Sequence, residues 1–247
     1  MNDTAILRPG AVALVTGASA GIGGAVAEAL SARGARVICA ARRLERLRDL
    51  VEALSTPGLA LELDVADGAS TRELIERLPA DWRQIDILVN NAGHDLGGRS
   101  PFQDREPADI QAVIETNVAG LLQVTRAVLP GMHERGRGHI VNVGSVNGFE
   151  WAADSTVYVA SKFAVHGFTA SLRQELTGSG LRVSEIMPGT VRTEFAAARW
   201  RGDEARAGAF YESRGAVLSP VDVAEATVFV LERPPHVNIS DLVLRPA

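Results

Sequence analysis

The sequence predicts one α/β domain spanning residues 1–247, a doubly wound sheet of seven parallel strands with helices on both faces. Short apolar runs rich in β-branched residues alternate with longer stretches at helical spacing, a glycine-rich turn joins the first run to the first helix, and no linker, repeat or low-complexity tract breaks the alternation. Strict alternation calls for parallel strands joined by right-handed crossovers, and a chain of this length buries one large core without splitting.

The strands read, in order, as Ala11–Thr16 (AVALVT), Arg36–Ala41 (RVICAA), Leu59–Val65 (LALELDV), Ile85–Asn90 (IDILVN), Ile140–Val143 (IVNV), Arg182–Met187 (RVSEIM) and Ile239–Leu244. Short, nearly continuous apolar runs suit strands buried on both faces. Between them Gly21–Arg33, Leu44–Leu54, Ser70–Leu78, Pro107–His133, Val157–Leu176 and Pro220–Leu231 carry helical spacing, the last with Ser219 as its N-cap. Arg192–Gly215 resolves into no single element. Its length suits a substrate-binding flap or a pair of short helices, and equally a solvated surface helix.

Composition narrows the function classes. The net charge is −5, 46% of residues are hydrophobic, and the arginines are scattered. This excludes disorder and leaves no basic stripe for nucleic acid or an anionic membrane. No apolar run is long enough to span a bilayer, and the N-terminus lacks a signal core, so a soluble cytoplasmic chain is expected. Cys39 sits inside an apolar run and reads as a buried hydrophobe, and the five histidines fall in no metal-ligand spacing, so no metal is expected.

Directly after the first strand comes Thr16-Gly17-Ala18-Ser19-Ala20-Gly21-Ile22-Gly23. Glycines there permit a tight turn and bring backbone N–H groups and the positive end of the following helix against a pyrophosphate. Gly17, Ser19, Ala20, Gly21, Ile22 and Gly23 are therefore candidate dinucleotide-binding residues. The lysine of a triphosphate-binding loop is absent. An acid at the end of the second strand would favour an unphosphorylated ribose, but Arg42 and Arg43 stand there instead. Arginine suits a 2′-phosphate, so NADP(H) is the expected cofactor, with Arg42 as its main determinant because Arg43 is also placed to start the next helix.

Of 25 basic residues only one is lysine, Lys162, and it follows Tyr158 by four positions. On a helix that spacing puts both side chains on one face. Bringing a phenol from about 10 to about 7 needs roughly 4 kcal/mol, which a cation about 4 Å away supplies at an effective dielectric of about 20. Tyr158 is thus a candidate general acid/base near neutral pH, with Lys162 tuning it.

Together these motifs resemble the short-chain dehydrogenase/reductase family in its compact form of about 250 residues, and the resemblance covers almost the whole chain. Thr16-Gly17-xxx-Gly21-x-Gly23 matches the family's cofactor turn, Asn90-Asn91-Ala92-Gly93 its motif after the fourth strand, Tyr158-xxx-Lys162 its active site, and Pro188-Gly189-Thr190-Val191-Arg192-Thr193 its segment around the nicotinamide. Ser145 and Asn117 also stand where the family pattern has them. The resemblance implies a Rossmann domain. It also implies Tyr158 as general acid/base, Lys162 on the nicotinamide ribose, Ser145 on the reacting oxygen, and Asn117 holding a relay water through its backbone. Asp64 and Val65 would meet the adenine, Asn91, Ala92 and Gly93 would line the adenosine, and Pro188, Gly189, Thr190, Val191 and Thr193 would surround the carboxamide and pyrophosphate. Family members commonly form dimers or tetramers through helices equivalent to Pro107–His133 and Val157–Leu176.

The expected activity is hydride transfer between NADP(H) and a carbonyl or alcohol of a small, moderately polar substrate. Asn147, Trp151 and His94, together with Ser145, are the candidate substrate residues. The C-terminal sequence and Arg42-Arg43 look more like the group containing clavulanic acid dehydrogenase and the serine or 3-hydroxy acid dehydrogenases than like the ketoacyl-carrier-protein reductases. Such a reductase, or a catalytically idle NADP(H)-binding regulator, is the alternative; intact Tyr158, Lys162 and Ser145 argue against the regulator.

Overall fold

A computed structural model describes residues 5–247. Seven strands, β1 (Val12–Thr16), β2 (Arg36–Ala41), β3 (Gly58–Glu62), β4 (Ile87–Asn90), β5 (Gly138–Val143), β6 (Leu181–Pro188) and β7 (Asp241–Leu244), form one sheet in the order β3-β2-β1-β4-β5-β6-β7. Every adjacent pair is parallel. The expected fold class is therefore observed. The strand order reverses between β1 and β4, and crevices in such sheets open at the carboxyl ends of the strands on either side of the reversal.

Helices α1 (Gly21–Ala32), α2 (Leu44–Ala53), α3 (Gly68–Arg72), α4 (Pro107–Ile114), α5 (Leu121–Glu134), α6 (Thr156–Glu175), α7 (Phe195–Arg199), α8 (Glu204–Glu212) and α9 (Pro220–Leu231) surround the sheet. One apolar core, with Val26, Leu30, Val37, Val89 and Val228, packs α1 and α9 on one face; a second, with Leu14, Ile38, Val124, Met132 and Leu172, packs α5 and α6 on the other. Burial on both faces is why the strands read as continuous apolar runs rather than alternating ones. Ser219 caps α9 as expected, in a reciprocal capping box with Asp222.

Two helices depart from expectation. Ser70–Leu78 is not one regular helix: α3 ends at Arg72 and the chain continues in irregular turns that drive Leu74 and Leu78 fully into the core. Burial of those two leucines outweighs regular hydrogen bonding. Pro107–His133 is likewise interrupted, by a π-helical turn at Glu115–Gly120 between α4 and α5. The extra residue in that turn points Asn117 inward, where its Oδ1 accepts from the His94 backbone N–H (2.9 Å) and its Nδ2 donates to the His94 carbonyl (2.9 Å) and to Ser161 Oγ (3.1 Å). Arg192–Gly215 contains the two short helices α7 and α8. They share a small core of Ala196, Ala197, Ala207 and Tyr211.

A buried polar ladder fixes α6 against the sheet. Asn90 Nδ2 donates to Thr125 Oγ1 and to Asn142 Oδ1, both at 2.9 Å, and Asn142 Nδ2 donates to Thr169 Oγ1 at 2.8 Å. Buried networks of this kind hold elements in register because losing one partner strands the others; in this one Asn90 Oδ1 has no partner among the described residues. Among the described residues no helix is long and apolar enough to cross a membrane.

Candidate active site

A cleft of about 1070 Å³ runs along the carboxyl ends of β1, β2, β4, β5 and β6. It brings together every candidate cofactor residue except Gly23, and every candidate substrate residue. Gly17 takes φ +66°, a conformation that only glycine adopts without strain. Gly23 lies behind the turn rather than in the cleft. A Cβ on it would come within 2.4 Å of the Gly17 carbonyl and 2.5 Å of Asn91 Nδ2, so its role is packing. Asn91 Nδ2 in turn donates to the Thr16 carbonyl at 3.0 Å, while Thr16 Oγ1 accepts the N–H groups of Asn91 (3.0 Å) and Ala92 (3.1 Å). The glycine turn and the Asn-Asn-Ala-Gly motif are thus one interlocked unit.

Helix α1 begins at Gly21, with Ala20 at the N-cap position making no side-chain cap, so its first N–H groups face the cleft unpartnered by side chains. An uncapped helix start lined by glycine is a ready anion cradle. At the end of β2, Arg42 is exposed and makes no ion pair among the described residues. Arg43 instead donates from Nε to Ser19 Oγ (3.1 Å) and from Nη1 to Glu194 (2.9 Å), and Arg46 also pairs with Glu194 at 2.7 Å. These arginines hold the Glu194 carboxyl below its ordinary range. Asp64 accepts from the Ala66 N–H at 3.0 Å, shaping its turn as well as lining the cleft.

On the opposite wall stand Ser145, Tyr158 and Lys162. Ser145 caps a short 3₁₀ turn after β5, its Oγ accepting from the Asn147 N–H at 3.1 Å. Lys162 is buried, with Nζ donating to the Val143 carbonyl at 2.9 Å and lying 5.7 Å from the centre of the Tyr158 ring. Within the protein's own groups, the expected drop of the phenol toward neutrality does not occur. Burial pushes Tyr158 up to about 12, opposed by Ser145, and burial pushes Lys162 down to about 8. Desolvation is the largest influence on each group, whereas the expectation from sequence counted only the attraction of an ammonium for a phenolate. Glu185, fully buried on β6, lies behind Lys162 and pairs with His166 Nδ1 at 2.8 Å.

The remaining candidates divide by exposure. Asn117 is buried outside the cleft lining, and its committed side chain leaves the expected water-holding role to its main chain. His94 lines the cleft with its ring fixed, Nδ1 accepting from the Leu96 N–H (3.2 Å) and Nε2 near Thr116 Oγ1 (3.1 Å). Burial and then Arg42 hold it below its usual range, so it is a neutral wall residue. Trp151 stands at the rim, 83% exposed, and Asn147 lies deeper in the lining. Thr193 is committed within the protein: its N–H donates to Tyr211 Oη (3.1 Å), its carbonyl accepts from the same hydroxyl (2.9 Å), and its Oγ1 accepts from the Phe195 N–H (3.1 Å). Cys39 is fully buried and its thiol is pushed up to about 12.

Sequence reasoning missed several lining residues. Phe195 meets Tyr158 edge to face with centroids 5.7 Å apart. Arg199 follows Phe195 by one helical turn on α7 and is buried in the cleft wall. The only signal for either was their place in Arg192–Gly215, which reads as no single element in the sequence.

The family model of short chain dehydrogenase matches residues 11–204. The NADP-dependent 3-hydroxy acid dehydrogenase YdfG of Salmonella typhi is 44% identical over 236 residues, covering 95% of this chain and 94% of that protein. The Escherichia coli K12 protein of the same name is 43% identical with the same coverage. Among solved structures, a closed form of serine dehydrogenase complexed with NADP+ superposes with a TM-score of 0.90 at 42% identity, covering 95% of this chain and 94% of that one. An actinorhodin polyketide ketoreductase with NADPH gives 0.84 at 32%, covering 96% of both chains. This chain belongs to the short chain dehydrogenase family.

Proposed function

We propose that the protein is an NADP(H)-dependent oxidoreductase interconverting a small 3-hydroxy acid and its 3-oxo acid, with Tyr158 as general acid/base. The observation that carries this reading is the convergence of Ser145, Tyr158 and Lys162 on one wall of the cleft whose other end is the uncapped start of α1. The names of the similar YdfG proteins extend it from a generic carbonyl or alcohol to a 3-hydroxy acid.

The cleft fits the dinucleotide. Its volume, the glycine cradle at α1, and Arg42 standing without a carboxylate partner at the end of β2 match an adenosine, a pyrophosphate and a 2′-phosphate respectively. When bound, the nicotinamide supplies or accepts the hydride. The protein's own residues handle the oxygen. Ser145 Oγ orients it, and a phenol raised by burial is in its protonated form at neutral pH, ready to give a proton to a carbonyl oxygen. Oxidation of the alcohol needs the opposite form, so that direction gains with rising pH. Lys162, near 8, keeps most of its charge at pH 7 and stabilises the phenolate left after proton transfer.

Assembly as a homodimer or homotetramer in the cytoplasm completes the reading. Ile114 on α4, Leu122 on α5 and Phe163 on α6 are exposed large hydrophobics on the helices expected to pair. The test is a spectrophotometric screen with NADP+ and NADPH across 3-hydroxy acids, simple alcohols and aldehydes. Turnover of 3-hydroxypropionate or serine with NADP+ is expected. Tight NADPH binding with no turnover of any carbonyl would overturn the assignment in favour of a regulator.

A further inference from the structure

The wall facing Tyr158 across Phe195 holds a buried charge cluster that the hydride chemistry leaves unused. Asp95 is fully buried between two guanidiniums, Arg105 Nη2 on Oδ1 and Arg199 Nε near Oδ2, each at 3.0 Å. Arg105 also donates to the Leu96 carbonyl at 2.8 Å and is satisfied. Arg199 is not: its approach to Asp95 is misaligned for a hydrogen bond, and Nη1, also buried, has no partner among the described residues. Two arginines sharing one carboxylate leave the cluster with an uncompensated positive charge. Burial keeps the Asp95 carboxyl above its ordinary range despite both arginines. The neighbouring acid, Asp109, is taken by Arg201 at 2.8 Å.

Around Arg199 the surroundings are cationic and aromatic. Its guanidinium carbon lies 5.4 Å from the centre of the Phe195 ring and 5.0 Å from that of Phe210. Arg99 and Arg214 line the same cleft, and their charges and that of Arg199 bear on one another. Leaving a desolvated guanidinium half-paired is costly unless another anion completes it. Its planar fork matches a carboxylate, and the Phe195 and Phe210 rings lie close against it.

We propose that Arg199, held by Asp95 and supported by Arg99 and Arg214, is the subsite that binds the carboxylate of the substrate. This rests on the oxidoreductase reading and says which part of the cleft recognises the acid. Tyr158 and Arg199 both lie against the Phe195 ring, and the Arg199 charge bears on the phenol, so a short acid with its carboxylate on Arg199 can present its carbinol, two carbons away, to Tyr158. Arg199 acts on binding and takes no part in proton transfer.

The experiment compares 3-hydroxypropionate with its methyl ester, which keeps the carbinol and removes the charge. In R199Q, kcat/KM for the acid is expected to fall by ~10- to 150-fold, mainly through KM, while the ester changes by less than about threefold. The double variant D95N/R199Q removes the stranded buried acid and guards against misfolding; it is expected to show the same selective loss with NADPH affinity intact. Equal losses for acid and ester overturn the subsite and make Arg199 a packing residue. Calorimetric binding of malonate to the NADP+-loaded protein separates the two proposals. Malonate binding that depends on Arg199 supports the subsite even if no 3-hydroxy acid turns over, an outcome that sinks the activity instead; equal malonate binding by wild type and R199Q overturns the subsite whatever the turnover.

Discussion

The two ends of the cleft are built by different means. At the end proposed to hold the cofactor, backbone does the work: Gly17 turns, Gly23 permits close packing, the α1 N–H groups stay open, and Asn91 locks the turn to β4. At the proposed substrate end, side chains do it. Asp95, Arg105, Phe195, Arg199 and Phe210 meet from three separate stretches of chain, and no backbone conformation is demanded of any of them. A dinucleotide is recognised by geometry that many sequences must share, whereas a small substrate is recognised by chemistry that a few exchanges can alter.

The sharpest break falls at the junction between the ends. Tyr158→Phe is expected to lower kcat by ~10²- to 10⁴-fold in single-turnover assays while NADPH binding measured by fluorescence stays the same. Comparable loss of binding would show the phenol to be a cofactor anchor rather than an acid. On the cofactor side, Arg42→Ala should cut the preference for NADPH over NADH by ~10- to 150-fold in kcat/KM. Arg43→Ala should cost less, because Arg43 already divides its donors between Ser19 and Glu194. A reversed order would place the 2′-phosphate on the wrong arginine.

A pH experiment probes the wall that carries Tyr158 and Lys162 without substrate. Lys162 falls from 10.5 in the unfolded chain to about 8 in the fold. Its contribution is therefore present above pH 10.5 and lost as pH falls through 8, because the unfolded state then binds the extra proton more readily. The stability difference between wild type and Lys162→Met should rise with pH over that window, by up to about 3 kcal/mol in urea unfolding. A flat difference would mean that Lys162 is solvated. The smallest effect is expected in the flap: Tyr211→Phe strands the Thr193 N–H and should weaken the flap locally by about 1–3 kcal/mol. Faster hydrogen exchange confined to residues 192–215 would register it, and exchange spread over the whole sheet would show the flap to be part of the main fold.

The same contrast explains what could be read from sequence. The strands, the crossovers, the glycine turn and Tyr158-xxx-Lys162 were legible because each depends on local periodicity or short spacing. The end of α3 was not, since Leu74 and Leu78 are drawn inward by contacts from elsewhere in the chain. Nor was the π turn, set by an Asn117 side chain reaching His94 and Ser161. Arg199 finds its partner Asp95 across more than a hundred residues, which no spacing rule reaches. The raised phenol was not legible for another reason: spacing places Tyr158 and Lys162 on one helix face but says nothing of how much water both lose on burial.

The solitary lysine also makes the molecule its own spectrometer. With one ε-ammonium in 247 residues, protein grown on isotope-labelled lysine carries a single side-chain resonance, and that resonance comes from beneath Tyr158. No assignment is needed to follow it. Each ligand, pH step or distant substitution that reaches the catalytic wall can be read as movement of one line in an otherwise silent spectrum.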